Sequence, residues 1–215
     1  MIEKASGSKR EGVHSQHLGL SIGPWTVELH GPLRSGLSSR VDRVIDAVQR
    51  DTFENGNVRV WNNGGEDILL PGADNDVFLV FTHFIKHFYK EGACLRQVCD
   101  LCRLIWTFKD ELDGSLLQER LKRSGLLSEW KAFAALTVDY LGMPGEALPV
   151  YDTGARWRSM GGRMLDVIMM GARRGRLLRG LSLMGAFPFN TVRFLPGIVF
   201  NVTGLKVWER MTMGR

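Results

Sequence analysis

Apolar residues occupy every second position of residues 25–30, and polar residues, among them Glu28 and His30, stand between them. Side chains alternate between the two faces of a strand, so this pattern predicts a strand with one apolar and one polar face. The preceding residues 1–22 are rich in Gly, Ser, Lys and His and show no period. We expect a mobile arm there, because no apolar pattern directs the stretch onto a core.

The next pattern is helical, and a second alternating segment follows it. Apolar residues recur at helical spacing after Ser38 and Ser39, either of which is placed to cap the helix that carries them. The apolar positions of this stripe are Val41, Val44, Ile45 and Val48. Two short alternating runs, 58–61 and 67–70, then flank the turn residues 62–65, which predicts a hairpin.

From residue 77 onward the apolar period is helical. The predicted helices cover about 77–90, 94–108, 115–124, 128–141 and 164–178. Residues 145–160 carry no clear period and are expected to form a linker. Together these elements predict an α+β fold. Its regions are a small α/β region at 1–75, a helical bundle at 76–145, and a linker with a basic helical C-terminal extension at 146–215.

The composition is that of a globular protein, since 44% of the 215 residues are hydrophobic and 24% are charged. It excludes collagen-like, disordered and disulfide-scaffold proteins. The cysteines, Cys94, Cys99 and Cys102, cannot all pair and lie close together, which favours a reducing compartment. Because no apolar secretory core follows Met1, we expect a cytoplasmic protein.

Charge is distributed unevenly along the chain. Residues 156–215 hold 11 Lys and Arg against 2 acidic residues, a net charge of +9, whereas the whole chain carries +5 and residues 1–155 therefore carry −4. Such a basic segment suits an anionic partner, which is nucleic acid, a membrane surface or an acidic protein. The other interpretation is that the basic segment folds back onto the acidic body.

Four polar residues fall on two consecutive predicted helices. His83 and His87 are one helical turn apart, and Arg96 and Asp100 are spaced so that they can pair on the surface of the next helix. Two histidines are too few ligands for a closed zinc site, so structural or substrate-contacting roles are favoured. If the two helix faces meet, the four side chains form one compact polar group.

Two further motifs have simpler explanations than a metal site. The cysteines have the spacing of an iron–sulfur loop but lack a fourth thiolate, and we expect buried structural thiols instead. Asp74-x-Asp76 resembles a two-carboxylate Mg²⁺ motif. Its position at the start of a predicted helix favours a capping role, because helix N-termini attract carboxylates.

One pair of segments resembles a known family. Residues 80–92 read Val-Phe-Thr-His-Phe-Ile-Lys-His-Phe-Tyr-Lys-Glu-Gly, and residues 95–100 read Leu-Arg-Gln-Val-Cys-Asp. They resemble a bacterial family of uncharacterised nucleotidyltransferases in the polymerase-beta-like superfamily, whose members show a His-x-x-Lys-His helix, a Gly and a Leu-Arg-Gln-x-x-Asp helix. Residues 27–30 are similar to the x-Glu-Leu-His strand of the family, and the resemblance covers residues 14–145.

The resemblance implies a fold and a chemistry. The region 1–75 would be a partial nucleotidyltransferase-like sheet, and intact relatives would transfer a nucleotidyl group from an NTP to an unknown acceptor. In the superfamily an Asp-x-Asp pair and a third carboxylate on a later strand bind two Mg²⁺ ions, which assist in-line phosphoryl transfer. By position Glu28 matches that third carboxylate, a catalytic metal ligand, with His30 as its neighbour. The residues that would contact substrate beside the acceptor pocket are His83, His87, Arg96 and Asp100.

The upstream part of the catalytic motif is missing from this sequence. No Asp-x-Asp follows Gly7-Ser8, since Glu11 is the single acidic residue from there to residue 24. One carboxylate cannot hold two Mg²⁺ ions against their mutual repulsion. We therefore expect a chain without the N-terminal catalytic part, which does not catalyse transfer alone. Truncation, a separate chain that supplies the missing half, and loss of catalysis all stay open as explanations.

The alternative function is a non-catalytic binding module that uses the basic C-terminal region on nucleic acid, a membrane surface or an acidic protein. Nucleic acid has weak support, because the segment lacks the aromatic–basic interleaving of known RNA- or DNA-reading motifs. A membrane role would use the phenylalanines around Arg193. These are Phe187, Phe189, Phe194 and Phe200, and packing of their rings on the bundle is the favoured interpretation.

Overall fold

The structure is a computed structural model that describes residues 9–14, 17–22, 24–90, 92–170 and 176–196. The chain divides into two compact units, Met1–Arg34 and Ser35–Arg215. Helices dominate the described residues and are accompanied by small antiparallel sheets, so the predicted α+β class is confirmed. The three-region division at residues 75 and 145 stays a prediction.

The first unit contains a three-stranded antiparallel sheet of β1 (Lys9–His14), β2 (His17–Ile22) and β3 (Trp25–His30), with β2 in the middle. The predicted strand over 25–30 is confirmed. The mobile arm was a wrong prediction for β1 and β2, and residues 1–8 lie outside the described residues. Leu18, Leu20 and Ile22 occupy every second position of β2, and this apolar alternation is typical of a strand.

The second unit is a helical body with a hairpin inserted near its start. Its elements in chain order are α1 (Ser39–Phe53), β4 (Val58–Asn63), β5 (Glu66–Pro71), α2 (Ala73–Lys90), α3 (Leu95–Phe108), α4 (Gly114–Ser124), α5 (Leu127–Leu141), a 3₁₀ turn (Gly145–Ala147), α6 (Ala155–Met170), α7 (Arg176–Ala186) and α8 (188–196). The predicted hairpin is present, and so are five predicted helices, which correspond to α1 to α5 apart from their exact ends. The predicted linker and the last predicted helix differ from the structure.

Local capping residues explain where several helices begin and end. The Ser38 hydroxyl accepts a hydrogen bond from the backbone of Val41 at the start of α1. At the start of α4, the Asp113 carboxylate accepts hydrogen bonds from two backbone N–H groups. Gly125 and Gly142 end α4 and α5 with left-handed backbone, φ +78° and +70°, which glycine adopts without a steric penalty.

Helix α2 lies at the centre of the core. The Phe81 ring makes edge contacts with Trp130 and Phe133 of α5, at centroid distances of 4.9 and 6.0 Å. The C-terminal helices pack on the far end of α2, where Phe187 contacts Phe88 at 5.9 Å and Phe194 contacts Tyr89 at 4.9 Å. The basic C-terminal segment therefore packs on the bundle through part of its length.

The phenylalanines of that segment do not share one environment. Phe187 and Phe194 are buried, as predicted, whereas the Phe189 side chain is 88% exposed. Phe200 lies outside the described residues. Within the described part of the chain, no helix is both long enough and apolar enough to cross a bilayer.

Helix α6 starts earlier than the sequence pattern indicated. It begins at Ala155 rather than Met164, so the expected linker at 145–160 is partly helical, and residues 171–175 lie outside the described residues. Gly161 and Gly162 weaken the apolar pattern in the middle of this helix. Gly161 faces the α5 backbone, and a Cβ there would lie 2.8 Å from Leu136 N and 3.0 Å from Ala132 O.

Gly161→Ala is expected to destabilise the protein by about 1–3 kcal/mol, because the added methyl group meets rigid backbone atoms of α5. Gly162→Ala in the same helix is the matched control. Its Cβ would lie 3.0 Å from the Tyr140 hydroxyl, which belongs to a half-exposed side chain that can move. This control should be neutral or stabilising by up to about 1 kcal/mol, since Ala favours helix over Gly. Urea unfolding of both variants measures the difference, and equal stabilities would contradict the close helix contact.

Candidate functional site

The predicted site residues are distributed over both units. Glu28 and His30 belong to β3 in the first unit. His83 and His87 lie on α2 of the second unit, and Arg96 and Asp100 lie on α3. The register of the first unit places Glu28 opposite Gly19 of β2, and His30 opposite His17.

A polar stripe follows the second half of the otherwise buried helix α2. It consists of His83, Lys86, His87 and Lys90, at helical positions i, i+3, i+4 and i+7. His83 is exposed and the other three side chains are partly exposed, while the flanking apolar residues are buried. The spacing brings imidazole and ammonium groups together on one face, where they are suited to bind an anionic or hydrogen-bonding ligand.

Within the polar stripe, the two histidines contact each other directly. The Nε2 atoms of His83 and His87 are 3.0 Å apart, and the rings meet edge to face with centroids 4.6 Å apart. One ring nitrogen must accept while the other donates, so at least one of the two imidazoles is neutral in this arrangement. The predicted proximity of these residues is confirmed.

Lys90 connects the end of the polar stripe to the segment before α1. Its ammonium group donates to the carbonyl of Ser35 at 2.8 Å. The Asp42 carboxylate accepts hydrogen bonds from the backbone N–H and hydroxyl of Ser35, both at 2.8 Å, and from Gly36 N at 3.1 Å. The turn requires a positive φ of +61° at Gly36, where a Cβ would also lie 2.9 Å from the Lys90 ammonium.

Arg179 of α7 binds the C-terminal end of α2. Its guanidinium donates to the carbonyl of His87 at 3.0 Å and to the carbonyl of Phe88. A cation at a helix C-terminus satisfies terminal carbonyls and interacts favourably with the helix dipole. No local sequence pattern predicts the role of Arg179, because its partners are about 90 positions away along the chain.

Arg96 and Asp100 are both exposed on α3. In the described part of the chain, no ion pair joins these two side chains, so the surface pairing that their spacing allows is not formed. Both remain accessible to a ligand, and their predicted substrate contact stays a prediction.

The cysteines are free, but the predicted burial was wrong for two of them. Cys94 and Cys99 are exposed, and Cys102 is partly buried. Cys94 precedes α3 as its N-cap residue rather than lying inside the helix. Burial raises the pKa of Cys102 to about 12, so this thiol stays protonated near neutral pH and is a poor metal ligand or nucleophile.

Asp74 and Asp76, the Asp-x-Asp pair of the sequence, hold elements together. Both lie in the first turn of α2, which begins at Ala73, rather than at its N-cap. An Asp74 carboxylate oxygen accepts from Asp113 N at 2.9 Å, and Asp76 forms a 2.6 Å ion pair with Arg59 of β4. These contacts agree with the structural role that was predicted for the two aspartates in preference to metal binding. Neither aspartate is the N-cap residue of α2, however.

A buried polar junction that the sequence did not reveal lies beside this pair. The Asn75 side chain is fully buried and donates to Asp51 and Thr52 of α1, each at 2.9 Å. Arg120 of α4 donates to the Asn75 side-chain oxygen at 2.7 Å. The pKa of Asp51 lies below its ordinary value, mainly because Asn75 donates a hydrogen bond to the carboxylate. Burial lowers the pKa of Arg120. The junction joins α1, α2 and α4.

A fully buried carboxylate, Glu129, lies in the first turn of α5. It accepts hydrogen bonds from Tyr89 at 2.7 Å, from Ser128 at 2.8 Å and from Asn190 of α8 at 2.6 Å. Complete burial raises the pKa of Glu129, and the hydrogen bonds from Asn190, Tyr89 and Ser128 oppose part of this effect. Among the described side chains, no group of three or more His, Cys, Asp or Glu residues is arranged to hold a metal ion.

Comparison with known proteins gives one match. A family model described as "uncharacterised nucleotidyltransferase" matches residues 4–142. No curated protein and no solved structure matches the chain. The matched segment includes β3 with Glu28 and His30, the polar stripe, and the α3 residues Arg96 and Asp100.

The free energy of unfolding is expected to depend on pH through the carboxyl group of Glu129. Since its pKa is raised above the ordinary 4.5 in the folded protein, the folded state binds the proton more tightly than the unfolded chain. Stability should therefore fall as the pH rises from about 4.5 through the raised pKa. Glu129→Gln keeps the shape and removes the titration, so it should stabilise the protein more at pH 8 than at pH 4.5. Urea unfolding across this pH range measures the effect.

Glu119→Gln on the exposed surface of α4 is the control for the pH series, because its side chain is 62% exposed. Its stability profile should parallel that of the wild type. A Glu129→Gln profile that also parallels the wild type would contradict the raised pKa.

Proposed function

We propose that this chain, which belongs to the uncharacterised nucleotidyltransferase family, binds a nucleoside triphosphate with Mg²⁺ but does not transfer the nucleotidyl group by itself. The observation that carries the proposal is the family match across β3, α2 and α3, in a chain whose β3 has a single carboxylate, Glu28. The expected role of intact relatives is transfer of a nucleotidyl group from an NTP to an acceptor.

The proposed loss of catalysis follows from the number of carboxylates. Two Mg²⁺ ions about 3.5–4 Å apart need several anionic ligands to offset their repulsion. Glu28 is one such ligand, and the other carboxylate of the sheet, Glu11, lies in the irregular part of β1, two strands away. Asp74 and Asp76 already bind Asp113 and Arg59. Catalysis would therefore require carboxylates from a further polypeptide segment or a separate chain.

In this proposal the polar stripe binds the substrate. Lys86 supplies a cation, and His83 and His87 supply hydrogen-bonding groups on the accessible face of α2. Such groups recognise phosphate oxygens, or the hydroxyl groups of an acceptor. Arg96 and Asp100 would add an exposed cation and anion on the next helix. His30 would lie beside Glu28, two positions along the same face of β3.

Titration calorimetry of the full chain with ATP tests the proposed metal role of Glu28. Binding should require Mg²⁺, and Glu28→Gln should weaken it at least about tenfold, because a neutral amide is a poor Mg²⁺ ligand. Glu66→Gln in the exposed hairpin is the matched control and should bind as the wild type does. Unchanged ATP affinity in Glu28→Gln would overturn the metal role. Transfer of AMP to any acceptor by the chain alone would overturn the loss of catalysis.

The same titration examines the polar stripe separately. A double variant, His83→Gln with Lys86→Gln, should weaken ATP binding while the dependence on Mg²⁺ persists. If this variant binds ATP as tightly as the wild type, the stripe does not contact the triphosphate.

A second function is favoured by the exposed surface of α7 and α8. Apolar side chains on both helices are largely exposed, although the opposite faces pack on the bundle. They are Leu178 (55%), Leu181 (62%), Phe189 (88%), Val192 (55%) and Leu195 (43%). These residues lie within the segment of net charge +9. Apolar side chains in a basic segment suit the interface of an anionic membrane, where they insert between headgroups, better than they suit nucleic acid.

Co-sedimentation with vesicles that contain phosphatidylserine tests membrane binding. The wild-type chain should bind these vesicles, and Leu181→Glu with Phe189→Glu should weaken binding at least about tenfold, since both changes place a carboxylate in the apolar region. Phe53→Glu, at an apolar residue that is 70% exposed on α1, is the control and should bind normally. Equal binding by the double variant would contradict this function. Salt-sensitive binding to an oligonucleotide that the double variant retains would favour nucleic acid instead.

A further inference from the structure

Two arginines from distant helices of the second unit converge on Gly125, at the end of α4. A Cβ at Gly125 would lie 2.6 Å from Nη1 of Arg193 and 3.3 Å from Nη1 of Arg40. Arg40 belongs to α1 and Arg193 to α8. The two side chains, here called the arginine pair, therefore place two positive charges beside one residue that has no side chain to separate them.

Hydrogen bonds to the end of α4 hold both helices in this position. The Arg40 guanidinium donates from Nε and Nη2 to two carbonyls in the last turn of α4, at 2.5 and 2.6 Å. Terminal carbonyls of a helix lack partners within the helix, so Arg40 satisfies both. On the other side, Asn190 donates to the carbonyl of Gly125 at 2.9 Å. Arg193 is three positions further along α8, on the same side of that helix as Asn190.

The charges of the arginine pair are not neutralised within the described part of the chain. Neither Arg40 nor Arg193 forms an ion pair there, whereas Arg123, at the same end of α4, pairs with Glu119 at 3.3 Å. Burial lowers the pKa of Arg193, the charge of Arg40 lowers it further, and the charge of Glu129 opposes these effects in part. Like charges held this close repel each other, and an anion between them would offset the repulsion.

We propose that the arginine pair binds one phosphate group, as inorganic phosphate or as the phosphate monoester of a small molecule. A guanidinium presents its donors in a planar fork, which holds phosphate oxygens at about 2.7–2.9 Å. A phosphate monoester carries about 1.5–2 negative charges at pH 7, enough to balance both arginines, whereas a carboxylate balances one. Both side chains are accessible, since Arg40 is exposed and Arg193 is partly exposed. The site shares no residue with the groups proposed to bind ATP, so it does not rest on the proposed nucleotide function.

Titration calorimetry of the full chain with inorganic phosphate and with glycerol 3-phosphate, in chloride at one fixed ionic strength, tests the site. Arg193→Gln should weaken binding at least about tenfold, because it removes one fork and one charge. Arg193→Lys keeps the charge without the fork and should recover only part of the affinity. The matched control is Arg50→Gln, at an exposed arginine about 15 Å along α1 from Arg40, and it should bind as the wild type does.

The two compounds in this titration also distinguish the two sources of the phosphate group. Binding of glycerol 3-phosphate at least as tight as that of inorganic phosphate assigns the site to a monoester. Weaker binding of the ester assigns it to the free ion. A folded Arg193→Gln chain that binds both compounds as tightly as the wild type would overturn the site.

Arginine modification of the wild type tests the same site without relying on a variant. Phenylglyoxal reacts with accessible guanidinium groups, and peptide masses report which arginines have reacted. Phosphate should slow the reaction of Arg40 and Arg193 relative to chloride at equal ionic strength, and leave the reaction of Arg50 unchanged. Equal reaction of the arginine pair in phosphate and in chloride would contradict phosphate binding there.

Discussion

Burial of α2 is the constraint on which the second unit depends. Aromatic side chains on several sides of this helix contact α5, α8 and the residue between α7 and α8, Phe187. The apolar surface of α2 is therefore covered by neighbouring elements. Only a narrow line of positions in its second half reaches the surface, and these positions carry His83, Lys86, His87 and Lys90. In this half of the helix, polar side chains are confined to these positions because the other faces pack on neighbouring elements.

The polar groups at the two ends of α2 have different uses. At its N-terminal end, Asp74, Asn75 and Asp76 bind groups of the hairpin, α1 and α4, and their hydrogen-bonding capacity is taken up by the fold. At its C-terminal end, Lys90 and the carbonyl of His87 hold neighbouring segments, but the imidazoles still face an accessible surface. An Asp-x-Asp spacing alone therefore cannot identify a metal site, because the fold itself can use both carboxylates.

The sequence predicted those features whose causes are local. Asp113 and Gly125 mark the ends of α4, and the four-residue spacing of His83 and His87 brought their rings together. Lys90 could have been added from the same helical period. The early start of α6 was not predicted, because Gly161 weakens the apolar pattern of that helix. The glycine is needed where α6 packs closely on the backbone of α5. Contacts such as that of Arg179 with α2 join distant parts of the chain, and spacing carries no information about them.

The hydrogen bonds of Asn190 limit which residues can replace Asn190 and Glu129. Its amide nitrogen donates both to the carbonyl of Gly125 and to the carboxylate of Glu129, so a single side chain on α8 serves the end of α4 and the start of α5. A non-polar residue at 190 would leave a buried carboxylate short of a donor, and a non-polar residue at 129 would leave a buried amide short of an acceptor. Evolutionary drift at positions 129 and 190 is therefore coupled, so that a change at one is tolerated best when the other changes with it.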